Sequence, residues 1–223
     1  MLNLKTFYFN PYRECTYVLS DESGKAIIID AGMYEQREQQ RFAEYIAKEH
    51  LQPVALLITH AHPDHVCGVE YVEQTYNLQV IIQPAEGKLS IPEFQFNIEV
   101  LATPGHKEDA VCYYLPEENM LFTGDTLFQE SIGRTDLPGG DMGTLIRSLK
   151  KLVLLPENTQ VYPGHGYPTS IAHEKQYNPY LKFLSTFIFW VSKKCIFLRF
   201  RHLFLLLFFT YKSLTLGIPL PKE

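Results

Sequence analysis

The sequence predicts an α/β fold, and three observations carry that prediction. Short β-branched and aromatic runs alternate with helical patterns over most of the chain. With 223 residues the chain can bury a substantial core in one main domain. The residues with chemistry to offer each follow the C-terminal end of a predicted strand, where α/β folds place their sites.

Leu4 to Phe9, Thr16 to Leu19 and Lys25 to Ile29 read as a strand followed by a hairpin, the last two runs being joined by Ser20-Asp21-Glu22-Ser23-Gly24. Asp30-Ala31-Gly32 closes the third run. From Tyr34 to His50, Phe42, Tyr45 and Ile46 recur at helical spacing among charges, which predicts an amphipathic helix. Val54 to Thr59 is a buried strand, Val66 to Tyr76 a helix and Val80 to Ile82 a strand. Phe94 to Leu101 alternates as a strand and leads into Thr103-Pro104-Gly105-His106. Val111 to Leu115 and Met120 to Thr123 form a strand pair that ends in Gly124-Asp125. Asp141 is placed to cap a helix carrying Leu145, Ile146, Leu149 and Leu152, and Gln160 to Tyr162 is a strand ending at Pro163-Gly164-His165-Gly166.

The densest chemistry is Thr59-His60-Ala61-His62-Pro63-Asp64-His65. Imidazole and carboxylate together suit zinc, iron or manganese, and four such groups in six positions are hard to explain as packing. Strand alternation would turn His60 and His62 one way and Ala61 the other. Pro63 would then turn the chain so that Asp64 and His65 reach a second point nearby. Cys67, inside the motif, reads as a small packing residue rather than a ligand.

Composition narrows the class. A net charge of −5 argues against a nucleic-acid partner. The charge is uneven, +7 over residues 175–223 and −12 over the rest. Cys15, Cys67, Cys112 and Cys195 show no C-x-x-C pairing and predict reduced thiols in a cytoplasmic protein. No charged segment leads into a long apolar run at the N-terminus, so no signal peptide is expected.

Thr-His-x-His-x-Asp-His-x-x-Gly at 59–68, Thr-Pro-Gly-His at 103–106, Thr-Gly-Asp at 123–125 and Pro-Gly-His-Gly at 163–166 resemble, in order, the motifs of the metallo-β-lactamase-fold hydrolases. The resemblance covers roughly residues 1–181, within a domain placed at 1–182, and implies a four-layer αβ/βα sandwich with two metals at one edge of the paired sheets. It implies that His60, His62 and His106 hold the first metal, that Asp64, His65 and His165 hold the second, and that Asp125 bridges them. The expected cofactor is two Zn2+ per chain, with iron or manganese as alternatives. Shared between two cations, a water's pKa falls from near 16 toward about 7, and Asp64 and Asp125 would orient the resulting hydroxide. Asp30 would orient a ligand histidine or its loop; the equal alternative is a helix cap.

Asp125, in place of a cysteine, argues against the lactamase branch with a thiolate ligand. Residues 131–141 resemble short type II glyoxalase-like hydrolases, which cleave hydroxyacyl-glutathione thioesters. Gly133-Arg134-Thr135-Asp136 also occurs in the related persulfide dioxygenases, which use a single iron. The expected partner is therefore a small-molecule thioester, with a mononuclear iron persulfide dioxygenase as the alternative. Arg134 and Asp136 are expected to pair and buttress the Asp125 loop, the alternative being contact with the substrate. Lys107-Glu108-Asp109-Ala110 departs from the family's usual Pro-Gly-Ser-like turn after the histidine, which alters the expected pocket wall.

Residues 183–223 form a basic tail with eight of the chain's fifteen Phe residues. Its longest clean apolar run is too short to span a membrane, which takes about twenty residues. An interfacial helix at a membrane surface, a helix packed on the acidic body and a segment foreign to the fold are the three readings, and the last is favoured.

Overall fold

Runs that are apolar at nearly every position belong to strands covered on both faces, and this chain buries two such sheets against each other. The computed structural model describes residues 2–182. The tail at 183–223 and the readings made of it lie outside the described residues.

β1 (Asn3–Phe9), β2 (Glu14–Ser20) and β3 (Lys25–Ile29) make an antiparallel meander. α1 (Gln36–Lys48) returns the chain to β4 (Gln52–Ile58), parallel to β3. Two short helices, α2 (Pro63–Val66) and α3 (Val69–Tyr76), lead to β5 (Gln79–Ile82), parallel to β4. The first sheet therefore runs in sequence order from β1 to β5. A second meander follows: β6 (Gly87–Ile91), β7 (Phe94–Ala102), β8 (Val111–Leu115) and β9 (Met120–Gly124). β10 (Leu127–Phe128) and β11 (Ser131–Ile132) form a small ribbon. α4 (Met142–Leu152) crosses over to β12 (Gln160–Pro163), parallel to β9, and β13 (Thr169–Ser170) and α5 (Ile171–Tyr177) follow. The second sheet is ordered β13-β12-β9-β8-β7-β6.

Side-chain alternation sorts the cores. Ile27, Ile29 and Leu57 of the first sheet meet Ile98, Val100, Tyr113 and Phe122 of the second. Ala26, Ile28, Leu56 and Ile58 point the other way, onto Phe42 and Ile46 of α1 and Val72 of α3. α4 buries Leu145, Leu149 and Leu152, and its Lys151 Nζ donates to Ala102 O at the end of β7. These layers form the αβ/βα sandwich expected from the sequence.

Both sheets are tied together at one edge. The Tyr113 hydroxyl on β8 donates to Ile58 O on β4 at 2.8 Å, and the Tyr17 hydroxyl on β2 donates to Pro163 O on β12 at 2.7 Å. The Val111 and Cys15 amides add bonds to Thr59 O and Gly164 O. This is the edge at which the strands release their metal-ligand candidates.

The expected helix from Val66 to Tyr76 is instead two helices. Its break falls at Gly68, whose amide donates to Ala31 O at 2.8 Å and where a Cβ would meet the Met33 side chain. Close packing on the loop after β3 overrides the helical pattern. β6, an exposed edge strand without a clear apolar alternation, was not expected. No helix among the described residues is long and apolar enough to cross a membrane.

Candidate metal centre

β4 ends at Ile58, so His60 and His62 converge from the loop beyond it rather than from one face of a strand. Pro63 opens α2 at a position where its missing N–H costs nothing, and α2 presents Asp64 and His65. The turn after β7 supplies His106, the end of β9 supplies Asp125, and the loop after β12 supplies His165. Gly164 keeps that loop close: a Cβ there would collide with Asp125 Oδ1 and with the His65 ring.

Hydrogen bonds fix most of the imidazoles. His65 Nδ1–H donates to Asp30 Oδ2 at 2.9 Å, His106 Nδ1–H to Arg134 O at 2.8 Å, and His165 Nδ1–H to Tyr12 O at 3.1 Å. The Thr59 hydroxyl donates to Asp30 Oδ2 at 2.7 Å, which leaves its oxygen to accept from His60 Nδ1–H at 3.1 Å. These four rings therefore aim an Nε2 lone pair inward. His62 turns its Nδ1 inward instead, 3.1 Å from His60 Nε2 and 2.8 Å from His106 Nε2. One proton on His62 can satisfy one of those neighbours, whereas a cation satisfies all three nitrogens.

A second group forms beside it. His165 Nε2 lies 3.2 Å from Asp64 Oδ2 and 3.3 Å from His65 Nε2. Asp125 touches both groups, with Oδ1 3.3 Å from His65 Nε2 and Oδ2 3.5 Å from His106 Nε2. Its Oδ1 is buried without a hydrogen-bond partner. An orphaned buried carboxylate oxygen among converging nitrogen lone pairs fits a divalent cation. All seven residues singled out in the sequence are thus brought together, in groups that could hold metal: His60, His62 and His106; Asp64, His65 and His165; and His60, His65 and Asp125.

The electrostatics divide that donor set: His60, His62 and the two carboxylates are held in the form that binds a cation, while burial of His65 and His165 is outweighed by nearby carboxylates, which raise both. Burial keeps His60 and His62 well disposed to stay neutral, pushing both below the usual histidine range, with neighbouring histidines adding to the effect. Burial alone would raise the Asp125 carboxyl, but the adjacent His65, with the charges of His60 and His165, outweighs it and holds Asp125 well below the usual carboxylate range. The same opposition, with His165 first among the partners, lowers Asp64. In His65 burial is outweighed by Asp30 and Asp125, which raise it.

Asp30 is the orienting residue and not a helix cap; Glu35 occupies the cap position of α1. Asp30 Oδ1 also accepts from the Thr59 amide at 2.8 Å. Arg134 pairs with Asp136 through two bonds of 2.7 Å, but both side chains are exposed, and it is the Arg134 carbonyl that steadies His106. The unusual turn after His106 has a use: Asp109 Oδ2 accepts from the Ala61 amide at 3.1 Å and pairs with Lys107, clamping the His60 loop. Cys67 is exposed rather than a buried packing residue, because the break at Gly68 turns it outward. Three contributors went unread in the sequence: the Tyr12 carbonyl, Asp109 and Glu14. Glu14 is fully buried beside His65, and its only local signal is an acid opening an otherwise apolar strand. The centre opens into a cavity of about 410 Å³ whose walls include Tyr12, Pro63, Arg134 and Leu137.

The family model of the metallo-beta-lactamase superfamily matches residues 13–100 and 86–165. The chain is 33% identical to the probable metallo-hydrolase YqgX of Bacillus subtilis, over 74% of this chain and 90% of that protein. It is 32% identical to the hydroxyacylglutathione hydrolase GloC of Haemophilus influenzae, over 76% and 92%. Among solved structures it resembles the BLEG-1 B3 metallo-beta-lactamase (33% identity, TM-score 0.76, covering 80% and 99%). It also resembles ETHE1 from Myxococcus xanthus (31%, 0.72, covering 79% and 83%) and TTHA1623 in a di-iron-bound form (31%, 0.71, covering 79% and 100%).

Proposed function

The chain belongs to the metallo-beta-lactamase superfamily, and from that premise we propose that it is a two-metal hydrolase of thioesters such as hydroxyacyl-glutathione. The observation that carries this reading is the pair of donor groups sharing Asp125. In this reading His60, His62 and His106 would hold one ion and Asp64, His65 and His165 the other, with Asp125 shared between the two groups. Zinc is the proposed ion, with iron or manganese as alternatives. When bound, the ions supply a water of lowered pKa and polarise the substrate carbonyl.

The protein's own part is to hold that chemistry in place. Asp30, Thr59, Arg134 O and Tyr12 O fix the ring tautomers, so the lone pairs are set before the ions arrive. Asp64 and Asp125 would orient the attacking water. Hydrolysis adds one water across the C–S bond and yields a carboxylic acid and a thiol. A thiolate leaves with little help from an acid, which suits a cavity whose named walls offer no carboxyl or imidazole besides the ligand candidates themselves. The alternative, a mononuclear iron persulfide dioxygenase, is favoured by Gly133-Arg134-Thr135-Asp136 and by the likeness to ETHE1 from Myxococcus xanthus.

Metal analysis of protein expressed without added metal, with thiol release and oxygen uptake measured on the same sample, separates the two. About two ions per chain with thiol release from a thioester is the expected result. One iron per chain with persulfide-dependent oxygen uptake overturns it.

A further inference from the structure

A second cavity of about 310 Å³ lies against the first and shares Tyr12, Pro63 and Asp64 with it. Its surface is apolar, made by Pro11, Pro63, the rings of Tyr12 and Tyr34, and Cys67. The polar groups at its margin are already engaged. Asn10 Nδ2 donates to Gly32 O at 3.0 Å and to Asp64 O at 2.9 Å, while Asn10 Oδ1 accepts from the Tyr12 amide at 3.0 Å. The Cys67 thiol is directed at Gly32 O, 3.2 Å away.

Its frame is rigid where its rings are free. The Glu38 carboxylate accepts from the Asn10 amide and from the Tyr34 amide, each at 2.8 Å. One side chain thus clamps the backbones that carry Tyr12 and Tyr34, yet those rings are 74% and 68% exposed. Two aromatic rings held at the margin of a fixed apolar cavity, beside a reaction centre, are surface that a ligand can cover. The two cavities also differ in charge. Arg134, whose carbonyl steadies His106, lines the first cavity, and no cation lines the second.

We propose that the second cavity is the acyl subsite, which takes the hydrocarbon of the acyl group, an aromatic ring or a short branched chain, while its carbonyl lies at the metal centre. This rests on the thioesterase reading given above. The polar thiol half of the substrate then lies toward Arg134. Apolar acyl groups are preferred over acetyl because each methylene removed from water favours binding by about fourfold.

The test uses the full-length, metal-loaded protein and two thioester series, one varying the acyl group on a fixed thiol and one varying the thiol on a fixed acyl group. The expected result is a kcat/KM that rises from acetyl through isovaleryl to phenylacetyl. Tyr34→Ala lowers the phenylacetyl to acetyl ratio at least fivefold, and Cys67→Leu, which narrows the cavity, lowers it as well. A ratio that ignores the acyl group, or that follows the hydrocarbon of the thiol instead, overturns the proposal and leaves the hydrolase standing. Calorimetric titration with phenylacetate and acetate reads the subsite without turnover. Tighter binding of phenylacetate that Tyr34→Ala abolishes supports the subsite even if no thioester is cleaved, in which case the hydrolase reading falls alone. Equal binding of the two acids overturns the subsite.

Discussion

At the scale of single residues, the centre depends on groups that never reach the cavity. Asp30 receives the Thr59 amide, the Thr59 hydroxyl and His65 Nδ1–H. Asp30→Asn keeps the size, and Asn tolerates the left-handed backbone at φ 58°. With its oxygen kept toward the Thr59 amide, the new NH2 group faces the histidine and forces the wrong tautomer. The variant is expected to fold and to lose metal affinity by roughly 10–100-fold, measured by competition with a chelator. Unchanged affinity would falsify the orienting role. Glu14 is a different case. Burial raises its carboxyl well above the free value of 4.5, against the pull of His65. The folded protein then keeps a proton that the unfolded chain has lost, so this group's contribution to stability falls as pH rises from 4.5 through the folded pKa. In metal-free protein, Glu14→Gln should gain on the wild type in denaturation midpoint as pH rises over that range. A gap that stays constant with pH would mean that Glu14 is ionised in the fold. The His60–His65 cluster was legible because its ligands are local, and His106, Asp125 and His165 because their short motifs resemble the family's. Glu14, Asp109 and the Tyr12 carbonyl were not, because their role exists only through partners 48 or more positions away.

At the scale of elements, loops carry the chemistry and helices hold the loops. α5 buries Glu174, whose carboxylate accepts from the Thr169 hydroxyl, the Glu130 amide and Asn178 Nδ2. Asn178 Nδ2 also reaches Ser131 O, so the helix pins the β10–β11 turn on the route from Asp125 to Arg134. Glu174→Ala leaves buried donors unmatched, each costing about 1–3 kcal/mol. The expected outcome is a lower Tm with a loss of activity larger than that of an exposed control such as Glu157→Ala. Asp141 caps α4 by accepting from the Thr144 amide at 2.7 Å, as the sequence predicted. Asp141→Ala should cost about 0.5–2 kcal/mol in chemical denaturation. Strands with strong apolar runs were readable to within a residue or two; β3 and β8 coincide with their predicted spans. The break between α2 and α3 was not readable, since it answers to Ala31 and Met33 across the fold and not to helix propensity.

At the scale of the whole molecule, the centre is a seam between two sheets, and Tyr17 and Tyr113 bolt that seam. Both side chains are almost wholly buried, and each hydroxyl satisfies a carbonyl of the opposite sheet. Tyr17→Phe and Tyr113→Phe should each destabilise the protein by about 1–3 kcal/mol in denaturant titration, since the orphaned carbonyl cannot reach water. A loss below the error of the fit would show that the sheets hold together without them. The sequence by itself determined the α/β class, most strand spans and the His60–His65 cluster, because periodicity and ligand chemistry are written in neighbouring residues, and resemblance to the family's motifs added His106, Asp125 and His165. Only the tertiary structure decided which nitrogen each histidine turns inward, that Asp30 serves His65 and no helix, and that an apolar cavity adjoins the centre. Those outcomes depend on hydrogen bonds and close packing between residues far apart in the chain, which no local pattern encodes.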